Sequence, residues 1–100
     1  SLHSEADLVV QQADGRVVLT VGNRMPYALR GVVLFVQGVG RFALGDLAPG
    51  DAANVTLPPE HSPAARERVV ARAEYVTHGG LKHLELHAPK VAAPKEEKPK

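Results

Sequence analysis

The chain has 100 residues, of which 44% are hydrophobic, 23% charged and 4% aromatic, with no Cys and no Trp. That length suits one domain with one modest core, and the missing thiols exclude disulfides, iron–sulfur clusters, thiolate metal sites and Cys nucleophiles. Twelve Lys and Arg against eleven Asp and Glu leave a formal charge of +1, without the basic excess expected of a nucleic-acid binder.

The longest apolar stretch, Val32 to Val36, is strand-sized and far short of the roughly 18 to 20 residues of a membrane span. The chain starts at Ser1 rather than Met, which suggests a processed or excised piece of a longer protein.

In chain order, Leu8-Val9-Val10 opens a first strand over Asp7 to Gln11, and Asp14-Gly15 is a strong hairpin signal before a second strand from Arg16 to Val21. Asn23-Arg24-Met25-Pro26 breaks that strand. Leu29 to Gln37 is a third run, and Gly38-Val39-Gly40 turns the chain into Arg41 to Leu44. Pro49-Gly50 suits a type II turn, because Pro presets φ and Gly supplies the positive φ that follows. Asp46, near that turn, is expected to accept hydrogen bonds from turn amides. Ala53 to Leu57 is a fifth strand, stopped by Pro58-Pro59. Ser62-Pro63-Ala64-Ala65-Arg66-Glu67 carries the one helical signal, a cap followed by Pro at the first position. Val69 to Thr77 and Leu81 to His87 are the sixth and seventh strands, around the turn His78-Gly79-Gly80.

Seven short strands with turn chemistry between them predict an all-β, antiparallel sandwich with one short helical turn. Period-2 alternation assigns Leu19, Val21, Leu34, Val36, Val55, Ala71, Ala73 and Leu84 to the core. Two runs carry more apolar residues than one face needs. In the first strand Leu8 and Val9 are consecutive, and in the third Val33 and Phe35 oppose the core set. The third run therefore reads as a central strand whose outer face meets something else, and the first as a terminal edge strand.

The domain is expected to span residues 1–88. Residues 89–100 hold three Pro, four Lys and two Glu with almost nothing to bury, and read as a disordered Pro/Lys-rich tail.

The strand Val17-x-Leu19-x-Val21-x-Asn23, then Pro26-Tyr27-Ala28-Leu29-Arg30-Gly31-Val32, then Leu47-Ala48-Pro49-Gly50 before a Val-x-Leu strand, resembles the small immunoglobulin-like modules of bacterial envelope proteins. The resemblance covers roughly Arg16 to Leu57. It implies an immunoglobulin-like sandwich and a non-catalytic, extracytoplasmic module, of a kind often attached to a membrane-anchored or multidomain protein. The absence of a Cys pair and of a core Trp excludes antibody-type domains.

Other constellations give little chemistry. Ser1, Ser4 and Ser62 lie in terminal or loop positions without a nucleophile elbow. Asn54-Val55-Thr56 matches the glycosylation sequon, a short pattern common by chance. His83, Glu85 and His87 share one strand face and supply ligand types suited to zinc or copper. His83 and His87 stand about 13 Å apart on an extended strand, too far to share one ion directly.

The leading expectation is thus an interaction or structural module with no cofactor and no catalytic residues. It would bind a protein partner or a second copy through Val33, Phe35, Leu8 and Val9, and would not bind nucleic acid. The alternative is a metal-handling module using His83, Glu85 and His87.

Overall fold

The computed structural model describes residues 5–13, 16–58 and 69–88, the side chains at 12, 13, 87 and 88 excepted. The hairpin residues 14 and 15, the helical signal at 62–67 and the tail from 89 onward lie outside the described residues. Seven strands form in the expected order. They are β1 (Ala6–Ala13), β2 (Arg16–Asn23), β3 (Leu29–Val36), β4 (Gly40–Leu47), β5 (Ala52–Thr56), β6 (Val69–Thr77) and β7 (Gly80–Ala88). They make two antiparallel sheets, one ordered β1-β2-β5 and the other β4-β3-β6-β7.

Alternation generates the core. Val17, Leu19 and Val21 of β2 face inward with Val55 of β5 and Leu57 just beyond it, and meet Val32, Leu34 and Val36 of β3 and Ala71, Ala73 and Tyr75 of β6. Seven of the eight expected core residues are buried. Leu84 is only half-buried, because β7 is an edge strand that pairs on its outer side with no other strand among the described residues. Leu86 on the same strand is buried. β3 is central, as its two apolar faces require.

The length of one strand and the role of Asp46 differ from the sequence reading. Strand β4 continues through Gly45-Asp46 to Leu47. The Gly-Asp pair sits beside a bulge rather than in a turn: the β3 ladders shift register around Gly31, whose φ of 56° favours Gly, and the Gly31 amide donates to Asp46 Oδ1 at 2.7 Å. Asp46 therefore accepts from a bulge amide. The turn at Pro49-Gly50 forms as expected, with Gly50 at φ 82° and the Asp51 amide donating to the Ala48 carbonyl at 2.9 Å.

The chain changes sheet between β2 and β3 and again between β4 and β5, and Asn23 ties the two crossings together. Its side chain is 3% exposed. Nδ2 donates to the Tyr27 carbonyl at 2.8 Å and the Leu47 carbonyl at 2.9 Å, while Oδ1 accepts the Met25 amide at 2.8 Å. Its main chain donates to the Asp51 carbonyl and accepts from the Gly50 amide. Among the described residues no buried side-chain nitrogen or oxygen lacks a partner.

Two stability changes are expected. Leu34→Ala, at a fully buried site, should cost about 2–5 kcal/mol. Asn23→Ala strands the Tyr27 and Leu47 carbonyls and should cost about 2–4 kcal/mol, whereas the exposed Asn54→Ala should stay within about 0.5 kcal/mol. Urea denaturation of the three variants checks both.

Candidate functional site

The outer face of the β4-β3-β6-β7 sheet collects the out-of-phase residues of four strands. Register sets Arg41 beside Phe35, Phe35 beside Arg72 and Arg72 beside Glu85, in one row across the sheet. The next row is Ala43, Val33, Glu74 and His83. Val33 and Phe35 are half-buried. The Phe35 ring is flanked by two guanidiniums, with Arg72 Cζ 4.7 Å and Arg41 Cζ 6.0 Å from its centroid. Such contacts are worth about 0.5–1 kcal/mol each at exposed sites. A shallow groove of about 620 Å³ runs beside the ring, between the β3–β4 turn and the Val70 end of β6.

Glu74 gathers two of the polar groups of this face. Glu74 Oε2 lies 3.3 Å from Arg72 and 3.2 Å from His83 Nδ1. Strand alternation keeps His83 and Glu85 on the outer face, but His83 turns toward Glu74 on the neighbouring strand. The His87 side chain lies outside the described residues. Among the described residues, no three His, Asp or Glu side chains converge on a common point.

At the far end of the face Val76 and Leu81 are cross-strand partners, 44% and 64% exposed. Sequence reasoning missed this pair, along with Arg41 and Arg72. The signal lay in the hairpin: pairing Thr77 with Gly80 across the His78-Gly79 turn sets Val76 opposite Leu81. On the other sheet β1 is an edge strand; Leu8 turns into the core and Val9 turns outward, 46% exposed. Of that pair, Val9 is the one β1 presents to solvent.

A second polar cluster lies where β1 begins. The hydroxyls of Tyr75 and Tyr27 donate to the two oxygens of Glu5, the latter at 2.7 Å. The His78 ring stands edge-on to Tyr27, 5.2 Å between centroids. The Arg24 amide donates to the Glu5 carbonyl at 3.0 Å. The hydrogen bonds from Tyr75 and then Tyr27 hold the Glu5 carboxyl below its ordinary range, with a smaller push from the charge of Lys82. Burial, and then the bond to Glu5, raises the Tyr75 hydroxyl, and the Glu5 bond raises Tyr27. The cluster docks the start of β1 against the opposite sheet; Tyr75 is 1% exposed and offers its hydroxyl to no outside group.

Fold and face together define a small all-β sandwich with one aromatic–guanidinium sheet surface. Its residues 4–96 match the model of a domain of unknown function, DUF8725, and the chain belongs to that family. No curated protein and no solved structure matches it.

The Glu5 cluster makes stability depend on pH in a defined direction. A carboxyl whose folded value is depressed stabilises above its unfolded value, about 4.5, and loses that contribution as pH falls through the folded value. The raised tyrosines act at the other end: their contribution is complete below about pH 10 and fades above it. The urea midpoint should therefore fall on both sides of a plateau from about pH 5 to 9. Tyr75→Phe should shallow both limbs; limbs that superimpose on those of the parent chain would assign the pH dependence to other groups.

Proposed function

We propose that this chain is an immunoglobulin-like, non-catalytic interaction module of a larger, extracytoplasmic bacterial protein, and that it acts through the outer face of its four-stranded sheet. The observation that carries the reading is Phe35, kept on the solvent side of a central strand between Arg41 and Arg72, with Val33 beside it. A solvent-facing position has no packing reason of its own to carry a phenylalanine, and aromatic and Arg side chains are the types enriched at binding surfaces.

The immunoglobulin-like assignment draws support from strand order. The first, second and fifth strands share one sheet, while the third, sixth and seventh share the other, as in that architecture; the fourth strand joins the second sheet. The non-catalytic reading draws support from the tasks of three carboxylates. Glu74 is shared by Arg72 and His83, Asp46 caps the Gly31 bulge, and Glu5 docks two tyrosines. The envelope setting rests on the resemblance over Arg16 to Leu57.

The test is site-specific photo-crosslinking in cells that make the parent protein. A benzophenone amino acid replaces Phe35 in one strain and Val18, on the outer face of the other sheet, in a second. The expected result is an adduct from position 35 in an extracytoplasmic fraction, several-fold stronger than from position 18. Equal labelling, or none from position 35, would overturn the sheet-face reading. Recovery of the chain only from the cytoplasm would overturn the compartment.

A further inference from the structure

We propose that the occupant of this face is a second copy of the chain, docked about a two-fold axis that lies in the interface and runs parallel to the strands. The inference rests on the sheet-face reading above and goes further by naming the partner and the pairing.

The argument is the order of charges along one row. Across β4, β3, β6 and β7 the residues are Arg41, Phe35, Arg72 and Glu85, a cation at one edge and a carboxylate at the other. A face-to-face two-fold parallel to the strands reverses the order of strands and leaves the row in place. It brings Arg41 onto the partner's Glu85, and Glu85 onto the partner's Arg41. Phe35 lands opposite the partner's Arg72, whose guanidinium already stacks on an identical ring in its own copy. In the next row the small Ala43 faces the bulkier partner's His83, and Val33 faces the partner's Glu74. An axis perpendicular to the strands gives no such match, because it sets β4 on β4 and takes Arg41 away from any Glu85. The row is therefore self-complementary under one operation.

Net charge does not oppose the association. Residues 1–88 hold eight basic and nine acidic side chains, so two copies meet almost neutral. The face is small. Four strands about 4.8 Å apart and eight or nine residues long present roughly 500 Å² in projection, less than the roughly 800 Å² per partner of a standard interface. The dimer is accordingly weak, with a Kd on the order of 100 μM, a strength suited to copies brought together on a surface or within a larger assembly.

Sedimentation velocity of the full chain, from about 10 μM to 1 mM, tests this directly. The parent chain should show a reversible monomer–dimer equilibrium. Arg41→Glu and Glu85→Arg should each weaken it about tenfold or more through like-charge contacts, and the double exchange should restore it to within about threefold. Phe35→Ser should weaken association by a larger factor than it lowers monomer stability, the latter read from the urea midpoint at the dilute end of that range. A chain that stays monomeric throughout, a dimer indifferent to either single reversal, or a double exchange without rescue would overturn the second-copy proposal. The crosslink at position 35 separates the two levels. An adduct to a different protein, beside a monomeric chain in the centrifuge, removes the second copy and keeps the sheet-face reading; no adduct removes both.

Discussion

The fold depends on one buried amide. A two-sheet sandwich of this connectivity must carry the chain across its own edge, and each crossing brings main-chain polar groups to the rim of the core. Asn23 meets that demand for two crossings at once. Its amide group is the right size and polarity to donate twice and accept once within a single buried site. A hydrophobic residue would leave two carbonyls unpaired, and a charged one would have to be desolvated. Because the β2–β3 and β4–β5 passages are joined there, β3 begins and β4 ends at a common anchor, and the bulge at Gly31 shifts the register of the ladder between them. The face carrying Phe35 is built outward from that anchor.

Phe35 shows how such a face is kept in water. A bare phenylalanine on a sheet surface invites indiscriminate contact. Two guanidiniums beside the ring set charge next to its apolar surface. The same groups remain available to a partner, since Arg keeps unused donors while it stacks. The surface is thus shielded without being lost.

Much of this was legible in the sequence, for a physical reason. Period-2 alternation is local, so each strand's inner residues could be read without knowing its neighbours, and Leu19, Leu34 and Ala73 lie where the alternation sets them. Turn chemistry is local too, as at Pro49-Gly50. What needed the fold was pairing. Leu84 alternates like a core residue but sits on an edge. Asp46 reads as an acceptor for the nearby turn until the bulge opposite it is known. Val33 and Phe35 stood out as surplus apolar residues, whereas Arg41 and Arg72 joined them only through cross-strand register, which no single strand encodes.

The two ends of the described chain leave the sandwich at opposite poles. Glu5 enters where Tyr75 and Asn23 lie, and Ala88 departs beside Val69 at the other end of β6. A pull through those two points acts along the strands. It would slide β1 against β2 and β7 against β6 in shear, loading eight register pairs in one ladder and nine in the other simultaneously instead of peeling them apart singly. Extension along that axis would then be governed by the rate of unfolding more than by equilibrium stability.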